Sequence, residues 1–194
     1  MMVGYIRWVD SLSKALGHSF GWCIVMLTMG TCFEVFMRYV LNDPTSWSYD
    51  MSYTFYGALF MMSGAYALSK NAHVRGDFLY RKWQPRTQAK VELVLYFLFF
   101  LPGILALSIT GLFYALQSTS ILEVSVNSPA GVPVWPLKMV LVVSGFSMLL
   151  AGSAEMCRCV LCIKSGEWLD RDEDVKELEE VLLETYAKDQ GATK

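Results

Sequence analysis

Catalytic machinery is what this 194-residue sequence most lacks. Its two histidines are His18, at the start of an apolar run, and His73, in a polar connection, a poor basis for a membrane haem held between paired helix histidines. No nucleophile elbow, phosphate loop or HExxH pattern occurs. Charge is also scarce: 18% of residues are Asp, Glu, Lys or Arg, against 54% that are apolar. A water-soluble domain of this size would have more apolar surface than core to hide it in, so lipid is the expected solvent. Nothing points to nucleic acid as a partner.

The five cysteines, Cys23, Cys32, Cys157, Cys159 and Cys162, do not suggest a disulfide framework. The last three sit close together, but no nearby histidine or fourth cysteine completes a tetrahedral metal set, so reduced cytoplasmic or interfacial thiols are expected. Arg7 and Lys14 before an apolar stretch resemble a signal peptide. However, no small-x-small cleavage site ends that stretch, which runs on through Glu34 and Arg38 to Leu41, so it is expected to be a retained first helix.

Four apolar runs are long enough to cross a bilayer core, which takes about 20 helical residues. They cover about 16–41, 47–69, 91–117 and 134–163, the third inside a helix that begins at Pro85. None alternates as a barrel strand would, so the expected fold is an all-α integral membrane protein with a four-helix domain over 1–165. The connection from Lys70 to Lys90 holds six Lys and Arg, whereas the segments 42–46 and 118–136 hold none. The positive-inside rule therefore puts the middle connection and both termini in the cytoplasm, with Lys138 the one basic residue on the wrong side.

Local signals refine this layout. Thr45 or Ser46 is expected to cap the second helix after a tight turn. Phe78, Leu79, Tyr80 and Trp83, interleaved with Arg81, Lys82 and Arg86, predict a cytoplasmic interfacial segment at the headgroup boundary. Pro102 and Gly103 predict a kink in the third span, and Pro129, Gly131, Pro133, Trp135 and Pro136 predict a rigid outer cap with Trp135 at the interface. Ten of the eighteen acids lie beyond Gly166, where Trp168, Val175, Leu178, Leu182 and Tyr186 mark one face of an acidic amphipathic helix over 166–194. That helix is either a solvated tail or a surface for docking a partner.

The polar residues inside the apolar runs are the candidate site. Glu34 and Arg38 lie four apart on one helix face, and an unpaired charge at mid-membrane costs about 2.5–3.5 kcal/mol, so the two are expected to pair. Asp50 opens the next helix within possible reach of Arg38. Such a triad is either part of an ion path or a clasp fixing the first hairpin or a partner interface. With no second cluster opposite, the clasp is favoured. His73, Arg75 and Asp77 have the chemistry of an acid/base site, but a sharp cytoplasmic turn is the expected role.

Taken in order, Arg38-Tyr39-Val40-Leu41-Asn42, Trp47 with Asp50 three later, Gly64-Ala65, His73-Val74-Arg75-Gly76-Asp77, Ser118 and Val132-Pro133-Val134-Trp135 resemble the small membrane subunit (DctQ-like) of tripartite ATP-independent periplasmic transporters, from about Cys32 to Leu150. Asp50 stands where that family often has Glu, and the acidic tail lies outside the pattern. The resemblance implies a non-catalytic scaffold in the bacterial inner membrane. It would stabilise a separate, large, many-span permease subunit that binds sodium and substrate, and help dock a periplasmic protein delivering an organic acid. No cofactor is implied in this chain, sodium being expected on the large subunit. The resemblance also makes Glu34, Arg38, Asn42, Trp47, Asp50, His73, Arg75, Asp77, Pro133 and Trp135 structural or partner-contact residues. The rival expectations are a stand-alone membrane redox protein or enzyme, using His73, Asp77 or the cysteine cluster, and a self-assembling channel lined by Glu34 and Asp50.

Overall fold

The computed structural model describes residues 2–72 and 83–169. Within these the architecture is all-helical: α1 (Met2–Gly21), α2 (Cys23–Tyr39), α3 (Ser48–Ser69), α4 (Pro85–Leu95), a π-helical turn (Tyr96–Phe100), α5 (Leu101–Ser120) and α6 (Trp135–Ser165). The expected interfacial segment falls largely, and the acidic helix almost wholly, outside the described residues, as do His73, Arg75 and Asp77.

Among the described residues three stretches are long and apolar enough to cross a membrane: Met2–Tyr39, Pro85–Ser120 and Trp135–Ser165. The first is continuous because Trp22, between α1 and α2, keeps a helical backbone (φ −64°, ψ −18°). At 22 residues, α3 has the length to cross, about 33 Å. Its serines, threonine and tyrosines make it less apolar than the others. Two features offset that polarity. Thr54, Ser63 and Ser69 each donate to a carbonyl of their own helix. In addition, α3 is flanked by α1 and α2 on one side and α6 on the other, burying seven of its residues.

Helix α6 is the hub, packing against α1, α3, α4 and α5. It runs in the same direction as α3, with Gly57 facing Leu137 and Gly64 facing Met148. Helix α2 runs opposite to α3, since Phe33 stacks beside Trp47 while Gly17 and His18 of α1 lie against Tyr66. Small residues set the close approaches. A Cβ on Gly17 would come within 2.8 Å of the root of the Tyr66 side chain, and one on Gly152 within 2.2 Å of the Phe100 ring. Without hydrophobic attraction between helices in lipid, such van der Waals contact is what holds neighbours together.

Pro102 sits where the helix changes type. It lacks an N–H, and its ring would crowd the carbonyl four residues back in an ordinary helix. The chain instead widens just before it: the Leu101 N–H bonds to the Tyr96 carbonyl, five residues back, and the helix runs on through Pro102. At the other end of the bundle Gly166, at φ 90°, closes α6 with its N–H on the Cys162 carbonyl, 2.8 Å away.

Below the apolar layer a charged cluster ties the first helix to the last. The Arg158 side chain is 2% exposed and donates to Glu155 at 2.6 Å and to Asp10 of α1. Beside it Ile6, Val9 and Ala154 form a small buried core. Arg158→Met removes the guanidinium from between two carboxylates and should destabilise the chain by about 3–5 kcal/mol. Thermal unfolding in detergent tests this, and Arg158→Met combined with Glu155→Gln should recover much of the loss. An unchanged midpoint for the single variant contradicts the assignment.

Candidate functional site

The polar residues singled out in the apolar runs gather at the end of the bundle that carries the 121–134 loop, but their pairing differs from the expected triad. Glu34 and Arg38 pair as their spacing predicts: Arg38 donates to one Glu34 oxygen through Nε at 3.1 Å and Nη2 at 2.6 Å. The other Glu34 oxygen accepts the backbone N–H of Thr45 at 3.1 Å and the Thr45 hydroxyl. Thr45 is thus used to lock the turn, not to cap α3, which starts at Ser48 behind Trp47 with no side-chain cap. Asn42 adopts φ 53° at the end of the preceding helix, a left-handed conformation that Asn tolerates better than most residues, and the Asp43 N–H returns to the Met37 carbonyl. Trp47, stacked on Phe33 at 6.2 Å, closes the hairpin.

Asp50 does not pair with Arg38. It is 4% exposed and accepts hydrogen bonds from Ser125, at 2.7 Å, and from Ser128. Both serines belong to the loop, so Asp50 latches that loop onto α3. The loop is braced further by a bridge between Val124 and Pro133, with the Ser125 N–H on the Val132 carbonyl at 2.8 Å and the Val134 N–H on the Glu123 carbonyl at 3.0 Å. Pro133 therefore stands within the bracing, and Trp135 is the first residue of α6.

Lys138, the basic residue that the topology rule leaves on the wrong side, is 8% exposed and not a topological charge at all. Its ammonium donates to Glu123 and lies 3.8 Å from the centroid of the Tyr114 ring. Two opposite charges flanking one loop are the only sequence signal for this pair. The serines that receive Asp50 carried none, because their partner lies 75 and 78 positions away.

The cysteines divide. Cys159 and Cys162 are buried between α4 and α6, Cys159 with its thiol 3.7 Å from Glu92 and Cys162 with its thiol 3.6 Å from the Pro85 carbonyl. Among the described residues no group of three His, Cys, Asp or Glu is placed to hold a metal ion.

The geometry carries a pH dependence. Lys138, donating to the Glu123 carboxyl, holds it below its ordinary value of 4.5. A depressed folded value gives stability that is complete above the unfolded value and lost as pH falls through the folded one. Hydrogen exchange of residues 121–134 should therefore be unchanged from about pH 7 to 5 after correction for the intrinsic rate, with protection lost only below the ordinary carboxyl value of 4.5. Loss of protection between pH 7 and 5 contradicts the pairing.

Comparison with curated proteins finds no match for the chain. Comparison with protein families finds one over residues 27–162, from α2 to the last turns of α6, well over half of the chain. The segment holds the Glu34 clasp, the Asp50 latch and the Lys138 pair, and the matching family is the DctQ component of the tripartite ATP-independent periplasmic transporters. The chain belongs to the DctQ family, and is a small membrane component of such a transporter.

Proposed function

We propose that this chain is the non-catalytic scaffold of a sodium-coupled importer of organic acids in the bacterial inner membrane. All four helical segments, α2, α3, α4 with α5, and α6, span the bilayer, with both termini in the cytoplasm. The large subunit binds sodium and substrate. The 121–134 end faces the periplasm, where it helps to form the surface that receives the substrate-binding protein.

One observation carries the reading: charge is confined to two layers. On α6 no Asp, Glu, Lys, Arg or His lies between Lys138 and Glu155, about 25 Å apart along the helix. Residues 19–33 of the first helical stretch, 51–69 of α3 and 93–120 of α4 and α5 are equally free of them. That spacing approaches the hydrocarbon thickness of a bilayer, about 30 Å. It gives α3 the same charge-free depth as its neighbours despite its hydroxyls, and these segments offer no Asp, Glu, Lys, Arg or His to carry ions or protons across. Glu34, Arg38, Asp50, Glu123 and Lys138 at the loop end are spent on Thr45, Ser125, Ser128 and one another, which suits a frame better than a pathway. The basic stretch 70–90 supports the cytoplasmic placement of the opposite end.

Extraction from native membranes in mild detergent should recover the chain together with a large, many-span hydrophobic subunit. Arg38→Ala, which removes both donors on one Glu34 oxygen, should lower the recovered complex several-fold. A monodisperse lone chain with its own transport or catalysis would sink the proposal.

A further inference from the structure

Under the 121–134 loop, α3, α5 and α6 enclose an open groove with a cavity of about 420 Å³. Its polarity is graded along the bilayer normal. At the loop end stand Asp50 and the Glu123–Lys138 pair; deeper lie Phe60, Met61 and Leu141. Tyr53, Tyr56 and Phe60 form the α3 wall at 55%, 58% and 64% exposure, with Tyr56 stacked on Phe60 at 6.3 Å. Polar above and apolar below is the gradient of a lipid molecule, not that of a soluble ligand.

Charge decides which lipid. Among the described residues the one cation lining the groove, Lys138, is already held by Glu123 and by the Tyr114 ring, so none of them leaves a free positive group to receive a phosphate. Asp50 meets two serine hydroxyls and no Lys or Arg among the described residues. An ionised carboxylate accepts about four hydrogen bonds, so its acceptor capacity exceeds these two. The head of the groove therefore carries net negative charge beside exposed tyrosine rings, a setting that attracts an ammonium group.

We propose that this groove holds one zwitterionic phospholipid with a primary ammonium headgroup, the ammonium at Asp50 and Tyr53 or Tyr56, and an acyl chain along Phe60 and Leu141. The proposal needs the chain to lie in a membrane, but not to be a scaffold, so it stands or falls separately from the function above.

The test uses the full chain, with whatever subunits it carries, extracted from native membranes and washed extensively in detergent. Bound phospholipid is then counted by mass spectrometry, and retention compared after exchange into nanodiscs of phosphatidylethanolamine or phosphatidylglycerol. About one phosphatidylethanolamine per chain should survive washing and resist replacement by phosphatidylglycerol. Tyr56→Leu, which leaves both serine bonds to Asp50 in place, should lower retention about ten-fold, and Asp50→Asn should do the same. Loss of all phospholipid on washing, equal retention of the anionic lipid, or unchanged retention in Tyr56→Leu overturns the proposal. A photoreactive group at position 56 that captures a protein subunit instead of lipid would also overturn it.

Discussion

A charge placed at the edge of hydrocarbon must bring its partner with it, and this constraint organises the whole chain. Water cannot reach in to solvate a carboxylate, and an unpaired one would cost several kcal/mol. Glu34, Asp50 and Lys138 at the loop end therefore each meet a specific group. Glu34 gathers three donors from two residues besides the Thr45 backbone, Asp50 takes two loop hydroxyls, and Lys138 sits between Glu123 and an aromatic face. At the far end Arg158 bridges Glu155 and Asp10. Because Thr45, Ser125, Ser128, Glu123 and Asp10 lie in loops or on other helices than the charges they meet, satisfying those charges also joins segments that van der Waals contact alone would hold loosely.

The two charged layers divide the labour. The loop-end layer shapes the surface between α2, α3, α6 and the 121–134 loop, while the Arg158 layer fastens α1 beneath the bundle. Between them the helices present chiefly apolar side chains, with Phe97, Phe99 and Phe113 exposed on the α4–α5 side. A body of this kind has rigid ends and a lipid-compatible waist. Membership of the DctQ family gives such a body its context, as one component of a transporter in which other components work beside it.

Much of this was legible from the residues. Continuous apolar runs announced the helices because lipid leaves few alternatives for an unpaired backbone, and the helix beginning at Pro85 followed from a proline tolerated in a first turn. The Glu34–Arg38 pair followed from a spacing of four. The partners of Asp50 and Arg158 were not legible, since Ser125 and Asp10 lie 75 and 148 positions from them and nothing local marks them. Thr45 misled because a hydroxyl before a helix serves as a cap only when nothing stronger competes, and here the Glu34 carboxylate does. Pro102 marked an irregular helix, but not that the irregularity is a widened turn just before it. Lys138 looked misplaced because the positive-inside rule describes exposed charges, whereas this one is buried and neutralised by Glu123.

The central claim is that these charges build a frame and do not carry ions. The most direct measurement is the ratio of sodium to substrate taken up by the reconstituted transporter, per assembled complex, when Glu34→Gln, Asp50→Asn and Glu123→Gln are introduced singly in this chain. The account predicts less assembled complex but an unchanged ratio. A ratio that changes while assembly stays normal would contradict it, and would place a part of the ion path in this chain.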